Sequence, residues 1–300
     1  MPADTATSLS AADFDYVRRL VLDKSSIVIN PDQSYLVETR LAGLARREGF
    51  TSITQLVSAV RDGGARQYQV RVVEAMTTNE TSFFRDHHPF EALRTSIIPD
   101  LIKKRAGTRR LIIWCAACST GQEPYSVAML LREHFPTLSN WNVEIYATDL
   151  SMEILEKAKR GRYTQLEVNR WLPAALLIKY FTKIGTEWQI KDEIRSAVRF
   201  EPINLTGPWQ QFTTVDLVLL RNVLIYFDVE VKKQILKRSR GILQRDGYLM
   251  LGGAETTFNL DDGFERVEFG RYACYRPRSG SAVLAQPMAR MCARPEPLSK

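Results

Sequence analysis

A short loop with a single glycine, CSTGQEPYS (residues 118–126), follows an apolar run and opens a helical pattern. In doubly wound folds the crossing from a strand to the next helix is where a nucleotide-like ligand binds. A pyrophosphate normally requires several glycines for close approach of the backbone, whereas Gly121 stands alone here. The loop therefore favours a nucleotide-like cofactor without phosphates.

An acidic residue, Asp149, stands at the end of the next apolar run, in YATDLS, 28 residues after Gly121. A carboxylate at this position is placed to accept hydrogen bonds from both hydroxyls of a ribose. The alternative is that Asp149 only caps the helix that begins near Ser151. The spacing alone does not decide between these two roles.

The elements that would position these residues alternate between strand and helix from Arg109 onwards. LIIWCA, VEIYATDL and VDLVLL are nearly continuous apolar runs, each followed by a helical pattern. Such runs are typical of parallel strands buried on both faces. Phe264–Tyr275 has a glycine near its middle and predicts an antiparallel hairpin at one edge. The sequence thus predicts an α/β fold with a doubly wound sheet and an antiparallel edge hairpin.

Two regions differ from this pattern. Ser10 followed by Asp13 predicts the start of an amphipathic helix, and similar periodicity recurs through the first 80 residues, which predicts a small all-helical bundle. Between residues 161 and 204 a helical stretch and short alternating pieces around TEWQIKDEI and SAVRFEPI predict an excursion with a small antiparallel sheet. Beyond Pro277 we expect disorder.

The composition limits the classes of function. The formal net charge of +7 invites nucleic-acid binding, but residues 271–300 alone carry six Arg and Lys against one acidic residue. There is no run of eighteen apolar residues, so we expect a cytoplasmic protein without membrane insertion. Four cysteines are too few for a disulfide framework.

Two sharper interpretations are weak. Trp114–Cys118 is similar to the W-C-x-x-C motif of thiol oxidoreductases, but the helix that would lower a thiol pKa begins only near Glu123. We therefore expect Cys115 to lie inside the strand. His87 and His88 are adjacent, and no spacing of the three histidines is typical of a zinc site, so we expect no metal.

Five segments together resemble the signature segments of CheR-type chemotaxis receptor methyltransferases, which are protein-glutamate O-methyltransferases. They occur in the family's order, and a coincidence of five is far less expected than a coincidence of one. The segments are TTNETSFFRD (77–86), CSTGQEPYSVAMLL (118–131), YATDLS (146–151), INL (203–205) and LLRNVLIYFD (219–228).

The resemblance implies a Rossmann-like methyltransferase sheet, S-adenosylmethionine as cofactor and S-adenosylhomocysteine as its product. It implies that the methyl acceptors are glutamate carboxylates on the cytoplasmic domain of methyl-accepting chemotaxis receptors. The implied regions are an N-terminal helical domain (1–80), a linker carrying part of the cofactor site (81–108), a methyltransferase domain (109–276) with a β-subdomain inserted at about 161–204, and a tail (277–300).

Carried over position by position, the resemblance places Glu123 at the amino group of the methionine moiety and Asp149 at the ribose. The sequence departs from the family at Gln122, where a glutamate is usual, and at Ala117, where a glycine is common. Because Glu123 is kept, we expect these two departures to weaken cofactor binding only modestly. The implied cofactor residues are Asn79, Thr81, Arg85, Glu123, Asp149, Asn204, Leu205, Arg221 and Asn222.

Catalysis is expected to depend on positioning and desolvation. A glutamate side chain, with a pKa of about 4.3, is ionised at neutral pH, so the methyl acceptor needs no general base. The sulfonium and the carboxylate both lose their charges in the displacement, so a dry pocket favours it. Our hypothesis is that Arg85 and Tyr226 hold the carboxylate by hydrogen bonds. The alternatives are an interdomain ion pair for Arg85 and a core aromatic role for Tyr226.

Receptor recognition is predicted for the basic residues of the helical bundle. Residues 36–76 contain six arginines against four acidic residues, and Arg40 and Arg47 share a helix face. Such a face would attract an acidic receptor helix, although an ordinary solvated surface is the alternative. The candidate substrate-binding residues are Arg40, Arg47, Arg66 and Arg71.

Some family members also bind a peptide at the receptor's C-terminus through the β-subdomain. The connection Lys183–Thr186 is short, so we expect an enzyme that is independent of this pentapeptide tether. We also expect a monomer. Two alternatives stay open: a methyltransferase of nucleic acid, although no N/D-P-P-Y-type loop follows the VDLVLL run, and a non-catalytic scaffold that binds cofactor or receptor.

Overall fold

Four helices form the N-terminal part of the computed structural model, which describes residues 9–62, 66–209, 212 and 214–278. Local capping sets where they begin. The Ser10 hydroxyl accepts a hydrogen bond of 3.1 Å from the Asp13 N–H, as the sequence predicts, and Ser52 does the same for Gln55. The helices are α1 (Ala11–Ser25), α2 (Ser34–Arg47), α3 (Ile53–Arg61) and α4 (Arg66–Met76).

The apolar faces of these helices pack together in a core of their own. Val21, Leu41 and Leu56 are fully buried within it. Residues with this spacing occupy one side of each helix, so burial of that side stabilises the bundle. The predicted all-helical N-terminal region is confirmed.

The segment described above as a linker, residues 81–108, is mostly helical. Leu93, Ile97 and Leu101 are fully buried in the same core as the strands of the sheet. Burial of these side chains makes the segment part of the folded core, and its role as a linker between the two domains stays a prediction. Its elements are α5 (His88–Ala92), a π-helical turn (Leu93–Ile97) and α6 (Ile98–Arg105).

Seven strands form the main sheet in the order β6-β2-β1-β7-β8-β10-β9. The first five are parallel, and β10 is antiparallel to both of its neighbours, which confirms the antiparallel edge hairpin. Strands β2 and β6 extend the sheet from β1 towards one edge. The chain then returns, and β7 pairs with the other side of β1. The strands are β1 (Arg110–Ala116), β2 (Asn142–Asp149), β6 (Val198–Pro202), β7 (Val215–Leu220), β8 (Leu243–Leu251), β9 (Phe264–Phe269) and β10 (Tyr272–Pro277).

Helices cover both faces of this sheet. Ile113 of β1 packs in one apolar cluster with Tyr125, and Trp114 packs in the other with Leu236, because successive side chains of a strand point to opposite faces. This two-sided burial explains the continuous apolar runs in the sequence. The covering helices include α7 (Gln122–His134), α8 (Met152–Arg160) and α12 (Val229–Ile242).

A small antiparallel sheet of three strands, ordered β3-β5-β4, lies in the predicted insertion. Residues around TEWQIKDEI contribute β5, as expected. SAVRFEPI does not belong to this sheet, because β6 pairs in parallel with β2 in the main sheet. The elements of the insertion are β3 (Arg162–Thr164), α9 (Gln165–Asn169), α10 (Ala174–Tyr180), β4 (Phe181–Ile184), β5 (Glu187–Ile190) and α11 (Asp192–Arg195).

Two further expectations concern the tail and membranes. The tail predicted to be disordered lies outside the described residues from position 279 onwards, and Pro277 is the last residue of β10. Within the described ranges, no helix is both long and apolar enough to cross a bilayer.

Candidate active site

A cleft opens at the carboxyl ends of the parallel strands, between β1 and β7, where the direction of strand addition changes. Ligands of doubly wound sheets bind at this point. All nine residues predicted to bind the cofactor line the cleft, and so does Tyr226. The structure thus brings them together, while the role of each stays a prediction.

The loop after β1 has an unusual backbone. Ala117, Ser119 and Gly121 have φ angles of +53°, +51° and +90°. A Cβ atom on Gly121 would lie 3.1 Å from the Cβ of Ala158 and 3.3 Å from the Tyr163 hydroxyl. Glycine is therefore needed for its φ angle and for close packing against α8, and not for the approach of a phosphate.

Asp149 is buried at the end of β2 and lines the cleft. Its Oδ2 accepts the Ser119 N–H at 2.9 Å and its Oδ1 accepts the Ser151 N–H at 3.1 Å. Ser151 caps α8, because its hydroxyl accepts the Ile154 N–H. Burial raises the pKa of Asp149, and the two N–H groups oppose that shift. Each carboxylate oxygen keeps a second lone pair, which is compatible with ribose hydroxyls.

A buried ion-pair cluster stands beside the loop. Arg221 follows β7 and donates from Nη1 to Glu123 Oε2 at 2.7 Å, and from Nη2 to Asp86 Oδ2 at 2.9 Å. Burial raises the pKa of Glu123, and the guanidinium of Arg221 opposes the shift. Arg221 Nε is buried without a hydrogen-bond partner in the described part of the chain. The guanidinium carbon of Arg221 lies 5.7 Å from the centroid of the Phe90 ring.

The two predicted catalytic residues lie on different elements that meet at the cleft. Arg85 precedes α5 and donates from Nη1 to the Glu80 carbonyl at 2.9 Å. Tyr226 ends a 3-10 turn, Leu224–Tyr226, between β7 and α12. The contact to Glu80 leaves further N–H groups of the guanidinium for a ligand.

The end of the helical bundle closes one side of the cleft. Ser25 lines it, the Val28 N–H donates to the Tyr226 carbonyl at 2.9 Å, and Asn204 Nδ2 donates to the Lys24 carbonyl at 2.8 Å. The amide donors of Asn204 are thus partly engaged by the bundle. The helical bundle therefore forms part of the wall of the cleft.

Sequence reasoning missed several residues of the cleft. Two of them lie at the end of α1 and just after it, and their place in the cleft depends on tertiary packing. The others lie inside the segments quoted above for the family resemblance, but their residue types did not mark them as site residues. They include Ser25, Ile27, Thr77, Thr78, Ser119, Leu150 and Phe227.

The four candidate arginines do not form one surface. Arg40 and Arg47 line a common groove beside α8. The guanidinium of Arg40 donates to the Met76 carbonyl at 2.6 Å and to Thr78 Oγ1 at 2.9 Å, so part of its capacity is used internally. Arg47 is exposed and lies 3.9 Å from Glu153.

The other two arginines lie apart from this groove. Arg71 pairs with Glu48 at 3.2 Å, and Arg66 lines a different groove beside Lys24. The four predicted arginines are therefore divided between separate surfaces.

Cys115 lies inside β1, as predicted, and Cys118 is also buried. Burial raises the pKa of both thiols, which makes them poor nucleophiles. His87 and His88 stack at 5.9 Å between ring centroids at the start of α5, and not in a strand. Among the described residues, no group of three His, Cys, Asp or Glu side chains could hold a metal ion.

This combination defines a class of protein. The sheet is of Rossmann type, its first loop has a single glycine, and acidic side chains stand at the helix after β1 and at the end of β2. Asp149 is compatible with ribose hydroxyls, and Glu123 is compatible with an ammonium group. An amino-acid-bearing nucleoside such as S-adenosylmethionine carries both groups, and methyltransferases use it.

Comparison with known proteins agrees with this class. The model "CheR methyltransferase, all-alpha domain" matches residues 12–77, and "CheR methyltransferase, SAM binding domain" matches residues 79–273. The chain belongs to the CheR methyltransferase family, and it is a methyltransferase dependent on S-adenosylmethionine.

Several curated relatives are similar over most of their length. Chemotaxis protein methyltransferase 1 of Pseudomonas aeruginosa is 42% identical, over 90% of this chain and 100% of its own. A chemotaxis protein methyltransferase of Pseudomonas putida is 39% identical, over 85% and 94%. One from Vibrio parahaemolyticus is 36% identical, over 88% and 96%. The similarity therefore covers both the helical bundle and the sheet.

Proposed function

We propose that this methyltransferase transfers the methyl group of S-adenosylmethionine to glutamate carboxylates of methyl-accepting chemotaxis receptors, which gives glutamate methyl esters. One observation carries the proposal: a single cleft joins Glu123 and Asp149, suited to the cofactor, with Arg85 and Tyr226, suited to a carboxylate. The names of the relatives, chemotaxis protein methyltransferases, support a chemotaxis substrate.

The cofactor, when bound, supplies an electrophilic methyl group on a sulfonium. Arg85 and Tyr226 donate hydrogen bonds that align the acceptor carboxylate with this methyl group. A tight clamp would lower the nucleophilicity of the carboxylate, so alignment is their main contribution. The bundle side of the cleft, near Ser25, excludes water that would otherwise stabilise the separated charges.

The decisive assay for the reaction is methyl transfer from tritiated S-adenosylmethionine to receptor-containing membranes, followed by mild alkali. We expect alkali-labile, volatile counts, as a methyl ester requires. Counts in nucleic acid instead would favour that alternative substrate, and tight binding of S-adenosylhomocysteine without any transfer would favour a scaffold.

The catalytic pair is tested under single-turnover conditions with Arg85→Ala and Tyr226→Phe. We expect each variant to slow methyl transfer by roughly 10- to 100-fold, because a misaligned carboxylate loses much of the benefit of orientation. Rates equal to those of the unsubstituted enzyme would rule out the assignment.

The acidic receptor helix is proposed to bind along the groove of Arg40 and Arg47. Arg47→Glu should raise the KM for receptor roughly tenfold and leave the affinity for S-adenosylhomocysteine unchanged, since attraction of opposite charges favours association. Lys237→Glu, the same charge change on the exposed face of α12, is the control. Equal effects of both variants would point to net charge and not to this groove.

The remaining parts of the proposal concern partners and location. The two-residue turn Gly185-Thr186 between β4 and β5 supports an enzyme that does not use the C-terminal pentapeptide tether. Titration with a receptor C-terminal pentapeptide tests this, because micromolar binding would contradict it. We also propose a cytoplasmic monomer that binds no nucleic acid, which sedimentation with and without nucleic acid would check.

A further inference from the structure

A single carboxylate, that of Glu255, receives four backbone N–H groups. Oε2 accepts from Asn222 at 2.8 Å and from Gly252 at 2.7 Å. Oε1 accepts from Val223 at 2.9 Å and from Leu224 at 2.7 Å. Both oxygens therefore use both of their lone pairs, and three of the donors are consecutive residues of one loop.

This loop, residues 222–226, joins β7 to α12 and borders the cleft. Asn222, Val223 and Tyr226 line the cleft, although Glu255 itself does not. Asn222 has a φ angle of +58°, in the left-handed region that asparagine adopts more often than most L-residues. Consecutive N–H groups that converge in this way form a concave site for an anion, and Glu255 occupies it.

Gly252 leaves the room that the contact needs. A Cβ atom at Gly252 would lie 2.8 Å from both Asn222 N and Glu255 Oε2. The carboxylate, the glycine and the loop therefore approach one another as closely as backbone atoms allow. The loop is confined on the side away from the cleft, and its conformation depends on the acceptor.

We propose that Glu255 is a positioning residue for methyl transfer. By holding the N–H groups of residues 222–224, it directs Asn222 towards the cofactor and Tyr226 towards the methyl acceptor. The inference rests on the function proposed above for the acceptor side, and on cofactor binding alone for the Asn222 side.

Glu255→Gln is the sharpest substitution, because it keeps the shape and changes two acceptor contacts. The amide NH₂ group would face two N–H donors, which cannot hydrogen-bond to it. We expect a kcat lower by roughly 10- to 100-fold, with a KM for receptor that changes less than threefold, since a small misplacement mainly harms the transition state.

A double-mutant cycle separates positioning from a merely structural role. If Glu255 acts through Tyr226, then Glu255→Gln should lower kcat much less in the Tyr226→Phe background than in the parent. Equal factors in both backgrounds would overturn the proposal. Glu167→Gln is the matched control: its carboxylate accepts the Thr164 N–H in the insertion, and its kcat should stay unchanged.

Binding of S-adenosylhomocysteine supplies a readout that does not depend on the acceptor. Glu255→Gln should weaken it by roughly 5- to 10-fold through Asn222, about the value of one hydrogen bond, and Glu167→Gln should not. If the parent binds this ligand but methylates no receptor, the proposed function fails while this test stands. Glu255→Asp, with a shorter side chain, should give the same pattern if the glutamine variant does not fold, and parental kcat and affinity in it would overturn the proposal.

Discussion

Strand β7 has a buried arginine cluster at each end. At its start, Arg105 donates to Asp216 at 2.6 Å and to Asp246 at 2.6 and 3.0 Å. At its end, Arg221 donates to Glu123 at 2.7 Å and to Asp86 at 2.9 Å. The two clusters form the same kind of ion pairs, one at each end of strand β7.

The clusters differ in what they leave unsatisfied. Arg105 donates from all three guanidinium nitrogens, and the second oxygen of Asp216 accepts the Ile112 N–H at 2.8 Å. Arg221 keeps a buried Nε without a partner in the described residues, and both it and Glu123 border the cleft. The first cluster is fully satisfied, whereas the second keeps an unsatisfied donor and lies beside the cleft.

Replacing Arg221 should produce the largest effect on ligand binding and activity. Arg221→Met removes the cation that pairs with Glu123, a residue predicted to bind the cofactor. We expect the affinity for S-adenosylhomocysteine to fall on the order of 100-fold, about 3 kcal/mol, and methyl transfer to be lost. Isothermal titration calorimetry measures this. A dissociation constant within threefold of the parent value would mean that the open cluster is only structural.

Replacing Arg105 should destabilise the fold without weakening ligand binding. Arg105→Met leaves the buried Asp216 without its cation, so we expect the free energy of unfolding to fall by about 3–5 kcal/mol. Denaturant unfolding measures the loss. At denaturant concentrations below the unfolding transition, the affinity for S-adenosylhomocysteine should stay within about twofold of the parent value. The Arg105 cluster lies at the opposite end of strand β7 from the cleft, so the two sites should be independent. A joint loss of affinity would show that the two ends are coupled.

The two clusters should also respond to pH in different ranges. Burial raises the pKa of Glu123 above 4.5, so a proton should begin to compete with a cationic ligand group at a higher pH than for an ordinary glutamate. Affinity for S-adenosylhomocysteine should then decrease as pH falls through that raised pKa, by at most about tenfold per pH unit. Glu123→Gln should flatten this profile.

At the other end, hydrogen bonds from Arg105 hold the pKa of Asp246 below its usual 3.8. Its stabilising contribution is present above the unfolded value of that pKa and is lost only as pH falls through the lower folded value. Asp246→Asn should therefore change acid unfolding without changing the pH profile of binding. A change in the binding profile would contradict the separation of the two ends.

Much of the sheet and of the cleft could be predicted, because buried parallel strands leave continuous apolar runs and site residues follow their ends. Strand β6 was misplaced for a physical reason. It is the edge of the sheet, so Val198 is buried while Arg199 is exposed, and this alternation imitates a half-exposed antiparallel strand. Pattern alone does not separate the two cases.

Other parts of the site leave no pattern at all. Glu255 stands about thirty residues from the loop that it holds, and a lone glutamate between turns is ordinary in any sequence. Ser25 reaches the cleft only because the helical bundle packs against the β7 to α12 connection. These contacts are tertiary, and residue type at one position does not encode them.

The residues at the two ends of strand β1 allow a similar comparison, with a smaller expected effect on stability. Arg109, just before it, and Ala117, just after it, have φ angles of +48° and +53°. For an L-residue this conformation costs about 1–2 kcal/mol, and glycine avoids the cost but loses about 0.5–1 kcal/mol of chain entropy. Arg109→Gly and Ala117→Gly should each stabilise the fold by up to about 1 kcal/mol in thermal unfolding.

Ala117→Gly also tests the departure from the family's usual glycine. We expect the affinity for S-adenosylhomocysteine to change less than about twofold in both variants, because the loop geometry is already attained. If Ala117→Gly alone strengthens binding severalfold, then the alanine holds the cleft loop away from its best geometry. Ligand binding at this end of the sheet would then be limited by backbone strain at Ala117.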